Sequence, residues 1–219
     1  MPTTSVKPPP KSTATRRERE RETRRQLILD TSKDVFVKRG FLNATMEEIA
    51  EQCELAVGTL YRYFQSKEEL YVSLLCEAME MFHRGIETAR NSDLPPNEQL
   101  RAVWQFFYDF YREQPEYHRV LMFLHNEGLR DAISPDVIKD INRRAGRNFH
   151  LVAEIVQAGV DAGIYRPDLD TRGVVDVLWS LLMGLVQLIE TRRNLDVPAD
   201  MLETLHRESF EWLERGLKR

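Results

Sequence analysis

The segment from Thr45 to Leu70, TMEEIAEQCELAVGTLYRYFQSKEEL, narrows the possible folds more than any other part of the chain, because it holds helix starts and a tight turn in a short span. Thr45 followed by Glu48 is a capping box: the hydroxyl accepts an orphan amide and the carboxylate reaches back. Met46, Ile49, Ala50 and Cys53 then give one apolar face over two turns. A second short helix, Val57 to Phe64, follows after about three residues, the spacing of a helix-turn-helix. Ser66 with Glu69 caps a long helix that keeps Leu70, Leu74, Met81 and Phe82 on its buried face and runs to about Asn91. Ahead of the motif, Leu27, Ile28, Thr31, Val35 and Phe36 fall on helical spacing from Thr23 onward. Gly40, after Lys38 and Arg39, stops that first helix.

Beyond Pro95 and Pro96 the spacing predicts helices over 97–113, 116–127, 134–162, 170–193 and 199–217. Each boundary has a cause: Pro115 in a first turn, Gly128 at an end, Ser134 capping ahead of Pro135, Gly163 as a stop, Asp170 as a cap and Pro198 before the last helix. No alternating apolar run calls for a sheet and no segment repeats, so the chain is expected to be all-α. Residues 1–20, with Pro8, Pro9 and Pro10, hold almost no apolar side chain to offset ordering entropy and are expected to be a disordered basic tail. The expected organisation is this tail, a three-helix helix-turn-helix DNA-binding domain over 21–68, and a larger helical domain over 69–219.

The chain is long enough, and at 42% hydrophobic residues apolar enough, to bury a substantial core. Its formal charge of −4 hides a gradient: residues 1–25 carry eight Lys or Arg against three Glu, leaving −9 for the remainder. A basic end on an acidic body suits an anionic partner. Cys53 and Cys76 sit at separate apolar helical positions, which suggests neither a disulfide framework nor a metal knuckle but a reducing, cytoplasmic setting. Met1–Lys11 has no apolar core of the kind a secretory signal needs. Val177–Ile189, bracketed by Asp176 and Glu190, falls short of the roughly 20 residues of a bilayer crossing and reads as a buried helix, with no membrane partner. No P-loop, Gly-x-Ser-x-Gly, His-Glu-x-x-His or Cys-x-x-Cys pattern occurs, which argues against an enzyme. His118, His125 and Glu127 lack a further ligand, so neither a metal nor a cofactor is expected.

Through Thr45, Ile49, Ala50, Gly58, Thr59, Leu60, Tyr61, Tyr63, Phe64, Ser66, Lys67, Glu68, Glu69 and Leu70, all at fixed spacing, the motif resembles the helix-turn-helix of the TetR family of transcriptional regulators. The detailed likeness covers about residues 23–74. The rest follows the family in helix order and in the phrase Gly163–Asp170. A DNA-reading helix presents small or polar side chains to base edges and is held by apolar contacts behind. Val57, Gly58, Thr59 and Arg62, with Ala56 at the helix start, are candidates for the groove face, and Leu55, Leu60 and Phe64 for the packed one. The resemblance implies that Thr45, Tyr61, Tyr63 and Lys67 contact phosphates, while Arg24 and Arg25 add electrostatic attraction. Tyr61 packing beneath the helix, or Thr45 acting only as a cap, are the structural alternatives. Two positions depart from the family's habit: Glu54 where Gly is usual, and Ala56 where Ser is usual. Glu54 must then adopt the turn's backbone geometry, and Ala56 offers no side-chain cap.

One short helix-turn-helix reads few base pairs, so two copies are expected to pair on a two-fold-symmetric, double-stranded operator as a homodimer. Leu178, Leu181, Leu185 and Leu188, with Gly184 permitting close approach, are the candidate dimer residues. The aromatic middle of the chain suggests an apolar effector pocket. Its candidate lining is Trp104, Phe107, Tyr108 and Tyr111, then Met122, Phe123 and His125, then Phe149 and Trp179. The resemblance implies that a small apolar or aromatic effector tilts the fourth helix, changes the spacing of the reading heads and releases a repressor from DNA. The alternative is a helical ligand-binding and dimerisation module with lost or altered DNA binding. A redox sensor acting through Cys53 is a third reading.

Overall fold

The computed structural model describes residues 13–91, 93–122, 133–192 and 199–218. Nine helices lie among the described residues: α1 (Thr13–Asn43), α2 (Met46–Gln52), α3 (Val57–Leu60), α4 (Lys67–Arg90), α5 (Pro96–Glu113), α6 (Pro115–Met122), α7 (Pro135–Asp161), α8 (Thr171–Arg192) and α9 (Ala199–Leu217). Outside them, one antiparallel bridge joins Tyr165 and Lys218. The chain divides into two compact units, Met1–Leu74 and Leu75–Arg219. The second begins at Leu75 rather than at residue 69, because Leu70, Tyr71 and Leu74 of α4 belong to the first core. There the Tyr71 ring meets Phe36 at 5.0 Å and Phe41 at 5.2 Å, both edge-on.

In the N-terminal unit α1 starts at Thr13, so the expected tail over 1–20 is corrected from that residue on. Adding turns to a helix that is already nucleated needs only one bond per residue, and Arg16 and Glu20 pair across one turn at 2.9 Å. Residues 1–12, with the three prolines, lie outside the described residues. The buried stripe runs through Ile28, Leu29, Val35 and Phe36, whereas Leu27 is 44% exposed and stands off it. Gly40 does interrupt the helical backbone, at φ 74°, and turns Phe41 into the core. Thr45 caps α2 by accepting the Glu48 amide at 3.1 Å. The Glu48 carboxylate does not complete the expected box; it accepts from the Arg39 guanidinium at 2.8 Å instead. Ser66 caps α4 through the Glu69 amide at 3.1 Å, and the Glu69 carboxylate reaches back to the Gln65 amide at 2.6 Å.

In the C-terminal unit α5 packs on α7, α7 on α8, and α9 on both α8 and α5. The starts and stops fall within about a residue of the spacing. Ser134 accepts the Val137 amide, Asp170 accepts the Arg172 amide at 3.1 Å, and Gly163 sits at φ 69°. Gly128, Pro198 and the end of the expected 116–127 helix lie outside the described residues. On α8 the apolar stretch is longer than Val177–Ile189. Thr171–Ile189, 19 residues of mean hydropathy 1.6, is long and apolar enough to cross a membrane by length and composition. The helix is also not wholly buried. Val174, Val175, Leu178, Leu182, Val186 and Ile189 face inward, whereas Val177, Ser180 and Gly184 are exposed. That is the division expected of a bundle helix with one side left over.

Candidate DNA-reading surface and effector cavity

The turn between α2 and α3 closes without glycine. Glu54 takes the left-handed conformation at φ 55°, and Leu55 donates its amide to the Ala50 carbonyl at 2.9 Å. Ala56 begins α3 with no side-chain cap; its carbonyl accepts the Thr59 amide at 2.7 Å. α3 itself is shorter than the Val57–Phe64 span, ending at Leu60, and turns carry the chain on while the Tyr63 and Phe64 amides still bond the Leu60 carbonyl. Leu60 and Phe64 are completely buried, whereas Leu55 is only half-buried. The opposite side of the segment is open. Ala56, Gly58, Tyr61 and Arg62 are exposed, Val57, Thr59 and Tyr63 half-exposed, and a Cβ built on Gly58 would meet no atom within 4 Å. The Arg62 guanidinium donates to the Thr59 hydroxyl at 3.1 Å, which orients it along this face.

The flanking cations divide into two kinds. Arg24 is exposed without a hydrogen-bond or ion-pair partner among the described residues. Arg25 is partly buried, with its guanidinium 5.0 Å from the Phe64 ring centre and a 3.4 Å contact to the Ser73 hydroxyl. Lys67, expected at a phosphate, is half-buried: its ammonium donates to the carbonyls of Leu42 at 3.2 Å and Ala44 at 2.9 Å, over the Phe41 ring. In this state it holds the chain between α1 and α2 against the start of α4. Thr45 is exposed, and since its oxygen accepts the cap bond its hydroxyl proton stays available to an outside acceptor. Cys53 is buried, and burial pushes its thiol up, which suppresses the thiolate that oxidation needs; the redox reading is set aside.

In the larger unit a cavity of about 360 Å³ opens between α4, α5, α6, α7 and α8. Of the nine residues proposed from sequence, Phe107, Phe149 and Trp179 line it. Phe82 stacks on Phe107 at 5.1 Å, and Trp179 stands edge-on to Phe149 at 5.7 Å. Trp104 and Tyr108 are elsewhere. They hold the His206 ring between them in the seam of α5 and α9, with centroid distances of 5.0 and 4.4 Å. Tyr111 stands edge-on to His118, away from the cavity wall. Phe123 and His125 lie outside the described residues, as does the Met122 side chain.

Among the walls missed from sequence are Met79, Phe82 and Ile86 of α4 and Ile141, Asn148 and Val152 of α7. Their spacing, i, i+3, i+7 on α4 and i, i+7, i+11 on α7, is visible in the sequence but is that of any core face. Asn142 and Asn148 bring the amide side chains of the described lining, and Trp179 an indole N–H. Asn148 is buried. Its carbonyl oxygen faces His83 Nδ1 at 2.9 Å, its amide donates to the Met79 carbonyl at 3.3 Å, and His83 Nε2 lies 3.3 Å from Glu87. Leu178 also lines the cavity and is 2% exposed, so it is corrected from the dimer face. Leu181, Gly184, Leu185 and Leu188 instead share an outer groove of α8 and α9 with Leu205 and Trp212, the latter 62% exposed.

Comparison with known proteins agrees with this division. Residues 28–74 match the family described as bacterial regulatory proteins, tetR family, and residues 100–213 match the tetracyclin repressor-like C-terminal domain. The chain is 26% identical over 181 residues to the transcriptional activator FasR of Mycolicibacterium smegmatis, covering 73% of this chain and 83% of that one. It is 27% identical over 145 residues to the transcriptional repressor NicS of Pseudomonas putida, covering 66% and 67%. Among solved structures, AibR in complex with isovaleryl coenzyme A and operator DNA superposes with a TM-score of 0.68 at 21% identity, over 85% of this chain and 96% of that one. With a reading helix built on the N-terminal match and a second helical unit built on the C-terminal one, this chain belongs to the TetR family of DNA-binding transcriptional regulators.

Proposed function

We propose that this protein is a cytoplasmic, ligand-responsive repressor that binds a palindromic operator as a homodimer and is released when a small apolar or aromatic effector fills the cavity of the larger unit. The observation that carries the DNA-reading part is the two-sided α3 segment. Leu60 and Phe64 are fully buried, while Gly58 and Arg62 are exposed with nothing of the protein above Gly58. An open face with a residue that lacks Cβ is what close approach to base edges requires. The resemblance assigns phosphate contacts to Thr45, Tyr61 and Tyr63, and their exposure supports it. Glu54 takes the left-handed turn despite its side chain, which supports retained DNA binding over the alternative of a module that has lost it.

The effector class follows from the cavity. Apart from two asparagines and the Trp179 indole its described lining side chains are apolar, and an unpaired charge buried there would cost several kcal/mol, so the enclosed part of the ligand is uncharged. The volume suits a small ligand or the acyl part of a larger one, and AibR, of similar fold, is named as a complex with an acyl coenzyme A. α4 contributes both to the first unit and to the cavity wall, which makes it the element through which occupancy reaches the reading head. A tenfold loss of operator affinity requires about 1.4 kcal/mol of coupling between ligand and DNA. Repression is the sign favoured by NicS, and activation, as in FasR, is the other outcome of a reporter assay.

The test is selection of bound duplexes from a random pool, with Gly58→Leu in parallel. Gly58 faces open space, so this variant is expected to unfold within about 0.5 kcal/mol of the parent while failing to enrich the parent's palindrome. A folded parent that enriches no duplex, or a variant that enriches the same one, overturns the reading.

A further inference from the structure

The first part of α1 is a helix without a core to serve. From Arg16 to Arg24 every residue is exposed, and the buried stripe begins only at Ile28. Over residues 13–25 the helix carries six arginines and three glutamates, and these are not mixed evenly around it. At 100° per residue Arg17, Arg21 and Arg24 fall within one stripe about 60° wide, while Glu18 and Glu22 lie on an adjoining side and Glu20 is paired with Arg16 at 2.9 Å. None of the three stripe arginines has a hydrogen-bond or ion-pair partner among the described residues. The stripe is about 10 Å long at the helical rise. Its near end is fixed to the reading head, since Arg25, the residue after Arg24, lies 5.0 Å from the ring centre of Phe64, which closes the α3 segment.

From these observations we infer that Thr13–Arg25 is a second DNA-contacting element, in which Arg17, Arg21 and Arg24 lie along the phosphates of one strand beside the bases that α3 reads. Charge complementarity selects the partner. The chain beyond residue 25 carries a net −9, so this arm is where the protein presents concentrated positive charge, and duplex DNA offers one phosphate per 3.4 Å of axis on each strand. Arginine side chains fanned from a stripe of that length reach successive phosphates of one strand. Guanidinium groups suit such contacts, and being rigidly spaced on a helix they fix register without reading sequence.

The inference rests on the DNA-binding reading above, and its test separates the two. The full chain and the triple variant Arg17→Gln, Arg21→Gln, Arg24→Gln, changed only at exposed positions that tolerate glutamine in a helix, are titrated with the selected operator at several salt concentrations. The same titrations are repeated with a duplex trimmed to the base pairs read by α3. The expected result is a fall of about 2.7 in the steepness of log K against log salt, about 0.9 for each phosphate that the variant no longer neutralises. Trimming the duplex should weaken the parent and leave the variant unchanged. A parent that binds operator with the same salt slope, and the same response to trimming, as the variant overturns the arm and leaves the DNA-binding reading standing. A folded parent that binds no duplex overturns both.

Discussion

Lys67 and His206 each do work inside the fold that their side-chain type does not announce. The ammonium of Lys67 satisfies the carbonyls of Leu42, in the last turn of α1, and of Ala44 just beyond it. A phosphate contact from Lys67 must therefore share an ammonium that already makes two bonds. His206 is clasped between Trp104 and Tyr108, and its Nε2–H donates to the Trp104 carbonyl at 3.1 Å while the Trp104 indole donates to the His206 carbonyl at 2.9 Å. Burial lowers the affinity of this ring for a proton, with the Trp104 carbonyl opposing in part. The unfolded chain, where histidine titrates near 6.5, then takes up the proton first. Stability from neutral His206 is full above that pH and is lost as pH falls through the lower folded value. Urea midpoints measured between pH 7.5 and 5 should fall for the parent. His206→Phe should lose less across the same window, and an equal loss would remove the assignment.

The helices divide into those that are defined by their own residues and those whose faces are set by neighbours. α2, α4 and α7 start where Thr45, Ser66 and Ser134 cap them, so local chemistry is sufficient. The contact of α4 with α7 is different. Asn148 bonds the Met79 carbonyl and His83, Glu80 takes Arg147 at 3.0 Å, and Arg90 takes Glu154 at 2.9 Å. The two ion pairs are exposed and contribute little. Asn148 is buried in the cavity wall and joins the two helices directly, which puts it where the proposed effector would act on α4. Asn148→Ala leaves buried groups of α4 unpaired and is expected to cost about 1–3 kcal/mol in denaturant unfolding. The variant should also release operator less steeply with effector, although the cavity can still be filled. Full release at parental ligand concentrations would show that α4 is moved by other contacts.

At the scale of the molecule, the proposed dimer rests on the outer groove of α8 and α9. Leu181, Leu185, Leu188 and Trp212 form an apolar strip that the described residues leave partly open, of the kind that two copies bury against each other. Replacing Trp212 with glutamate should weaken self-association by about thirtyfold or more, the effect of removing an interface anchor. Sedimentation equilibrium would then show monomer where the parent is dimeric, and operator affinity would fall with it. An unchanged mass distribution would place the interface elsewhere. The all-helical architecture, the boundaries of the described helices of the larger unit, the capped helix-turn-helix and the family were legible from residues close together in sequence, because caps, periodicity and short motifs are local physics. The extension of α1 to Thr13 was not, since its composition argued for disorder while helix propagation from a packed segment requires no apolar face of its own. Nor was the sorting of α5 and α8. Phe107 enters the cavity while Trp104 and Tyr108 grip His206, and Leu178 turns inward while Leu181 stays in the groove. Those outcomes depend on how each helix is rotated against partners distant in sequence, and an aromatic or leucine-rich helix has more than one apolar face to offer until packing assigns them.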